Sequence, residues 1–170
     1  GSQAHALPVG GAVAAGGATI ASSANSMTIN QSTQNVAINW QSFSIGQGQG
    51  VQFVQPSTSA VALNRVVGQD PSSILGSLSA NGKVFLVNPN GILFGAGSQV
   101  NVGGLVASTR NITDADFMAG RHRFAGTGGG TIVNQGSITA AGGQVALLGA
   151  NVSNDGVIVA NYLHRPLLPL

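Results

Sequence analysis

The sequence predicts an all-β fold, a right-handed parallel β-helix (β-solenoid) with an N-terminal β cap and excursions outside the helix. Three observations predict it. Residues recur at a spacing of 20, glycine and asparagine are abundant, and charged residues are nearly absent. A 20-residue period is too short for a pair of helices and falls in the range of solenoids. Each coil would bury its apolar side against its neighbours, about 4.8 Å away.

The repeat is clearest towards the C-terminus. Four residues recur after 20 positions, namely Asn134, Gly136, Ile138 and Ala140 as Asn154, Gly156, Ile158 and Ala160. A second echo links segments 82–87 and 143–148, an offset of 61 that is close to three repeats. About seven coils of this length would fit. Equivalent asparagines in successive coils can stack their amides, so Asn134 and Asn154 are expected to form a structural ladder.

The composition supports a folded chain that is not held together by ion pairs. Charged residues make up 6% of the chain, against about 25% in ordinary domains, and 43% of residues are hydrophobic. The 26 glycines supply turns, while valine, isoleucine and threonine favour strands. The pI near 10.0 reflects a net charge of only +2, and the basic cluster 121–123 has no interleaved aromatic residues. No nucleic-acid partner is therefore expected.

The domain boundaries follow from the same pattern. Residues 7–161 are expected to form the β-helix. Residues 1–6 are either a signal-peptide remnant, because Ala4-His5-Ala6 has a small-x-small form, or a cloning scar. Residues 162–170 read as an atypical tail, since Arg165-Pro166 cannot continue a coil. Bulky residues alternate with polar ones between Met27 and Phe53, and this segment is expected to cap the open solenoid end.

Two breaks in the strand pattern predict short helices outside the coils. Asp70-Pro71 offers an N-cap followed by proline at the first helical position. Segment 113–116 places acidic residues in a first helical turn, and Gly120 is a stop signal.

Two motifs carry a family resemblance. The first is Asn64-Arg65-Val66-Val67-Gly68. The second is Asn88-Pro89-Asn90-Gly91-Ile92 within the run 84–94, continuing into 103–109. Together they resemble the haemagglutination-activity, or two-partner-secretion (TpsA), domain at the N-terminus of large exoproteins such as filamentous haemagglutinin. The similarity runs from about Leu7 to Ala160, and it is greatest to the branch that includes high-molecular-weight adhesins. A further Asn-Pro-Asn-Leu motif of some members is missing here.

The residues of both motifs have two interpretations. Proline fixes φ, and asparagine and glycine tolerate left-handed conformations, so the second motif could simply shape a turn. It could also be recognised by the export machinery, and both can hold. Arg65 is either a surface residue on a strand, or one member of a structural pair or partner contact. The candidate recognition and folding residues are Asn64, Arg65, Gly68, Asn88, Pro89, Asn90, Gly91 and Ile92.

The resemblance implies a mechanism and a location. Such proteins cross the inner membrane by the Sec machinery and stay unfolded in the periplasm. POTRA domains of an outer-membrane TpsB-type transporter then engage the secretion domain, for which strand addition is a natural mode. Coils fold at the bacterial cell surface, and any host-cell or matrix receptor is bound by the region downstream. No metal or other cofactor is implied, and a monomer is expected.

Three other functions were weighed. An enzyme of the pectate-lyase kind needs clustered carboxylates, but only Asp70, Asp114, Asp116 and Asp155 are available, so no enzymatic activity is expected. An ice-binding solenoid needs a regular threonine array, and threonine is irregular here. The main alternative is a fragment that acts directly as an adhesin in cell attachment, haemagglutination or biofilm formation.

Overall fold

The computed structural model describes residues 6–164. The predictions made for residues 1–5 and 165–170 lie outside this range. The strands and helix, in chain order, are β1 (Ala12–Ala15), β2 (Ala18–Ser22), β3 (Ser26–Gln31), β4 (Asn35–Trp40), β5 (Gly50–Val54), β6 (Val61–Val66), β7 (Ser72–Ile74), β8 (Ser77–Ala80), β9 (Lys83–Val87), β10 (Ile92–Phe94), β11 (Gln99–Asn101), β12 (Gly104–Ser108), α1 (Asp114–Met118), β13 (Thr131–Asn134), β14 (Ser137–Leu148), β15 (Asn151–Asn154) and β16 (Val157–His164).

From β3 onward the strands stack in parallel on three faces. Face 1 consists of β3, β5, β8, β11 and the first halves of β14 and β16. Face 2 consists of β4, β6, β9, β12 and the second halves of β14 and β16. Face 3 consists of β7, β10, β13 and β15. The predicted parallel β-helix is therefore confirmed.

The solenoid has about six coils rather than seven. Leu105 pairs with Val84 in the coil before it and with Val145 in the coil after it. Segments 82–87 and 143–148 are therefore two coils apart, and our interpretation of their offset as three repeats was wrong. The extra residues belong to an excursion that leaves the fourth coil after β12. We call residues 109–130 the strap.

The cap is real, but it lies earlier in the chain than expected. Strand β1 pairs antiparallel with β4, and β2 pairs antiparallel with β3, so these two strands cover the exposed edge of the first coil on faces 2 and 1 respectively. Segment 27–53 instead forms parallel strands, which pair with the second and third coils. Its bulky side chains fill the interior, where Trp40, Phe43 and Phe53 are at most 1% exposed. The alternation identified strands correctly but not which of them cap the end.

One predicted helix forms and the other does not. Helix α1 begins after Thr113, whose side chain accepts a hydrogen bond from the Asp116 backbone N–H at 3.1 Å, and Gly120 follows it with a φ of 77°. The segment after Pro71 is extended instead, as β7 and β8. Its Ser72 and Ile74 pair with Ile92 and Phe94 of the next coil, and this pairing outweighs the local capping signal.

The last strand reaches further than the expected end of the repeat. Tyr162, Leu163 and His164 pair with Gln144, Val145 and Ala146 of the preceding coil. The coil pattern therefore continues past residue 161 and runs through His164. In the described part of the chain, no helix is long and apolar enough to cross a membrane.

Candidate functional site

The two motifs meet at one edge of the solenoid, where face 2 turns towards face 3. The first motif begins on β6 in the second coil, and the second follows β9 in the third coil. Asn64 pairs with Leu86, and Arg65 pairs with Val87. By this register the end of the first motif lies over the start of the second, and we call residues 64–68 and 88–92 together the motif corner.

The second motif forms a hydrogen-bonded turn. The Gly91 backbone N–H donates to the Asn88 carbonyl at 3.1 Å, and the Asn88 side-chain oxygen accepts from the Asn90 backbone N–H at 2.9 Å. Asparagine first, proline second and glycine fourth is the pattern of a type I turn. Gly91 has a φ of 118°, which L side chains rarely adopt. Asn90 has no positive φ, so of the two residues that tolerate left-handed conformations only Gly91 has a positive φ.

Asparagine side chains fasten this turn to the coil before it. Asn88 is fully buried, and its side-chain NH₂ donates to the Asp70 carbonyl and to Ser72 Oγ, each at 3.0 Å. The NH₂ group of Asn90 donates to the Gly68 carbonyl at 3.0 Å. The two motifs therefore touch directly, and the contact requires the second and third coils to be in register.

Asn64 links three coils from inside the core. Its side chain is 0% exposed. Its Oδ1 accepts from Trp40 Nε1 of the first coil at 2.9 Å, and its Nδ2 donates to the Phe85 carbonyl of the third coil at 3.3 Å. A buried amide without such partners would cost about 1–3 kcal/mol. The motif asparagine is thus a core hydrogen-bonding residue.

Arg65 points away from the core and holds the strap. Its guanidinium donates to Asn39 Oδ1 and to Asn111 Oδ1, each at 2.9 Å, and also to the Ile112 carbonyl. It forms an ion pair with Asp114 at 2.8 Å, and the Arg65 side chain is 13% exposed. Of the two interpretations of Arg65, the geometry corresponds to a structural pair.

The remaining motif residues are packing positions or exposed tips. A Cβ on Gly68 would lie 2.1 Å from the Gln41 carbonyl oxygen, so the close approach of the backbones admits only glycine. Ile92 is 2% exposed and stacks between Ser72 and Ile132 on face 3. Pro89 and Asn90 are exposed at the tip of the turn.

The strap covers the outer surface of face 2. Phe117 of α1 is fully buried and packs edge-on against Phe85, with ring centroids 5.8 Å apart. Further along, Phe124 and His122 also contact the Phe85 ring, with centroids at 5.9 and 4.9 Å. Burial and the positive charge of Lys83 hold the pKa of His122 below its ordinary value of 6.5. Beneath the strap, face 2 is therefore apolar on both sides, which a simple inward–outward alternation did not predict.

Amide contacts also occur at the other two corners. Asn134 Nδ2 donates to Asn154 Oδ1 at 2.9 Å, the contact expected of the ladder. Between faces 1 and 2, a second pair escaped the sequence analysis: Gln55 Nε2 donates to Gln31 Oε1 at 3.0 Å, and both side chains are buried. The two glutamines are 24 residues apart, which is longer than the 20-residue repeat, so the repeat did not identify them as equivalent positions of adjacent coils. A search allowing corners of variable length would have found it.

The titratable side chains of the described residues are few, and two of the aspartates are paired. No group of three or more histidine, aspartate or glutamate side chains in residues 6–164 could hold a metal ion. Asp114 and Asp116 of the strap are paired with Arg65 and Arg121. The site is built from neutral amides, tight turns and one arginine, and such groups fix backbone positions.

Comparison with known families agrees with this arrangement. The family described as the TPS secretion domain matches residues 4–164. The chain belongs to this family. It is a family of secretion domains rather than of enzymes, and proteins that carry the domain are exported. The predicted family, the β-helix and the assignment as a secretion domain are confirmed.

Individual proteins similar to this chain include two curated relatives and a solved secretion domain. Two heme/hemopexin-binding proteins of Haemophilus influenzae, one from strain Rd, are 46% identical over 110 residues and 45% identical over 101 residues. These matches cover 65% and 59% of this TPS chain, but only 12% and 11% of the relatives' length. The crystal structure of the HMW1 secretion domain from Haemophilus influenzae aligns with a TM-score of 0.86 and 37% identity. That alignment covers 92% of this chain and 44% of that one.

Proposed function

We propose that this TPS domain directs the export of a longer exoprotein. POTRA domains of a TpsB-type transporter would recognise it while it is unfolded, and it would fold on emerging at the cell surface. The observation that supports the proposal most strongly is the motif corner. It lies in a chain that the TPS secretion domain family matches over residues 4–164. Two separated motifs of the secretion family converge there and fasten the first three coils together.

The two ends of the solenoid support folding in one direction. The first coil is capped by β2 on face 1 and by β1 on face 2. At the other end, β16 pairs with β14 along one edge, and its other edge has no partner among residues 6–164. A capped nucleus can be extended by coils added at the open edge, since each new coil buries apolar surface on the one before it.

Burial separates the two roles of the motif residues. Asn64 and Asn88 are fully buried, so a transporter could contact their side chains only before the coils form. Pro89 and Asn90 are exposed and could be contacted in either state. We infer that the transporter recognises the motifs in the unfolded chain. After export the same residues form the hydrogen bonds that hold neighbouring coils together, so they serve first in recognition and then in folding.

The test is secretion from cells that express the chain with its cognate transporter. Asn88→Ala is compared with Asn134→Ala, a matched control because both asparagines are 0% exposed and hydrogen-bonded at coil corners. If the transporter recognises Asn88, Asn88→Ala should abolish secretion. Asn134→Ala should reduce secretion only as far as its lower stability explains. Equal secretion at equal stability would show that Asn88 acts only through the fold. Wild-type secretion without the transporter would contradict the export role itself.

The proposal extends to the remainder of the route. The chain would reach the periplasm by the Sec machinery, act as a monomer and carry out no catalysis. Receptor or ligand binding, including anything like the heme/hemopexin binding that the relatives are named for, would belong to the region beyond this domain. The small share of those relatives that the chain spans supports this division.

A further inference from the structure

The cations of the folded domain are concentrated on one side. Residues 6–164 contain five lysines and arginines, and all lie on face 2 or on the strap that covers it, namely Arg65, Lys83, Arg110, Arg121 and Arg123. The strands of faces 1 and 3 contain serine, threonine, asparagine, glutamine and apolar residues, and no lysine or arginine. In a chain with so little charge, this asymmetry gives one side a positive potential.

Not all of these cations are available to a partner. Arg65 is paired with Asp114, and Arg121 is paired with Asp116 at 3.0 Å. Lys83, Arg110 and Arg123 form no salt bridge within the described residues, and each is exposed. Three uncompensated positive charges therefore face the solvent, and we call these three residues the cationic surface.

The fold of the strap determines the positions of two of these charged residues, Arg110 and Arg123. Asn111 and Ala125 form an antiparallel bridge, with N–O distances of 2.8 and 2.9 Å, so the segments that carry Arg110 and Arg123 run side by side. Lys83 is on β9, two residues before Phe85, whose ring contacts His122 at 4.9 Å. The charge of Lys83 reaches that histidine and contributes to its lowered pKa. The cations are thus spread across a covered sheet face, carried by two strap segments and a strand.

We propose that the cationic surface binds the phosphate groups of an anionic membrane surface. Arginine and lysine are the side chains that bind phosphate, and charges spread over a face suit a plane of headgroups better than a single ion. Single-stranded nucleic acid would need exposed stacking rings between the cations, but in the strap Phe117 is buried, Phe124 is partly buried, and both rings pack on Phe85. This inference rests on the proposed export, because the folded surface exists only after the chain has emerged beside a membrane.

The test uses the purified folded chain and lipid vesicles, without the transporter, so that it can fail independently of the export role. Vesicles of phosphatidylcholine are compared with an equal mixture of phosphatidylcholine and phosphatidylglycerol by co-sedimentation at low salt. Each basic residue near an anionic surface raises the partition coefficient about fivefold. The triple variant Lys83→Ala, Arg110→Ala and Arg123→Ala is therefore expected to bind about a hundredfold more weakly.

Two controls make the result specific. Arg121→Ala with Asp116→Ala removes a paired cation and its partner and should leave binding unchanged. Lys83→Arg, Arg110→Lys and Arg123→Lys keeps every charge and should preserve it. Absence of binding to the anionic vesicles, or equal binding by the alanine triple variant, would overturn the proposal. So would displacement by inorganic phosphate far beyond that by chloride at equal ionic strength, or preferential binding to an acidic peptide.

Discussion

Strands β4 and β16 occupy opposite ends of face 2 and differ sharply in burial. In β4, Val36, Ala37 and Ile38 are 0% exposed, because β1 and β6 pair with its two edges and α1 packs over its outer side. In the face 2 half of β16, Tyr162 and Leu163 are 54% and 42% exposed, and only β14 pairs with this strand. Both strands are rich in apolar residues. Stability in this solenoid therefore depends on how many neighbours a coil has, as expected of a nearest-neighbour assembly.

The largest effect should come from cavities in coils that have neighbours on both sides. Ile138 and Ile158 are register partners on face 1, but Ile138 is 0% exposed while Ile158 is only partly buried. Ile138→Ala should lower the free energy of unfolding by about 3 kcal/mol and Ile158→Ala by about half of that or less. Urea unfolding followed by circular dichroism measures both, and equal losses would refute the nearest-neighbour account.

The next largest effect should come from the link between the strap and the first coils. Arg65→Ala removes the contacts to Asn39, Asn111, Ile112 and Asp114, and we expect a loss of about 2 kcal/mol. Breaking a buried pair costs about 3–5 kcal/mol, but Asp114 is 40% exposed, and solvent screens part of the interaction. Arg65→Lys should recover little, because lysine lacks the planar fork.

The readouts for Arg65 are the urea midpoint and the rate of trypsin cleavage within the strap. Asp116→Ala is the matched control, since it breaks the half-exposed pair with Arg121 while leaving every trypsin site of the strap in place, and that pair should contribute less than about 1 kcal/mol. Faster strap cleavage in Arg65→Ala alone is the expected pattern. Equal cleavage in both variants would mean that the strap is held by Phe117 and its apolar contacts instead.

A smaller difference should distinguish the two members of the asparagine ladder. Asn134 is 0% exposed, and its side chain contacts Gly136, Asn154 and Val157. Asn154 lies nearer the open end and accepts from Asn134 and from the Gly156 N–H. Asn134→Ala should cost about 1.5 kcal/mol and Asn154→Ala about 0.5 kcal/mol. Thermal unfolding of both variants checks the order, and a larger loss for Asn154→Ala would contradict it.

The smallest effect concerns pH and the strap. Because the pKa of His122 in the folded protein lies below 6.5, the unfolded chain binds the proton more readily. The free energy of unfolding should therefore fall as the pH drops from about 7 to about 5.5, before carboxylates protonate. His122→Gln should remove this slope, whereas His164→Gln should keep it. Unfolding curves across this window measure the difference, and an unchanged slope in His122→Gln would exclude the histidine as its source.

The sequence predicted the parts of the fold that repeat. The 20-residue spacing of Asn134 and Asn154 corresponds to adjacent strands in register, and the acidic residues of segment 113–116 with the stop at Gly120 correctly marked α1. The antiparallel cap was missed because β1 and β2 are short, alanine-rich strands, whereas the bulky residues drew attention to the segment after Met27. Which strand covers an edge depends on topology, and local alternation carries no information on it.

The sequence identified residues of the site but not the contacts that they make. The motifs identified Asn64, Arg65 and Asn88, yet their partners lie elsewhere in the chain, Asn111 being 46 residues after Arg65. The helical signal at Asp70-Pro71 failed for the same reason, since pairing of Ser72 with Ile92 of the next coil decided the conformation. Contacts between coils depend on the lengths of loops and strap, and those lengths do not follow the repeat.

Transporter-dependent export by this chain can be measured with a reporter fused after its last residue. The fusion is expressed with a signal peptide, with and without the cognate transporter, and the reporter is measured in the medium, on intact cells and in the periplasm. We expect the reporter to leave the periplasm only when both the intact domain and the transporter are present. A reporter that stays in the periplasm despite a functional transporter, or that is released equally without it, would show that the chain is not a transporter-dependent export domain.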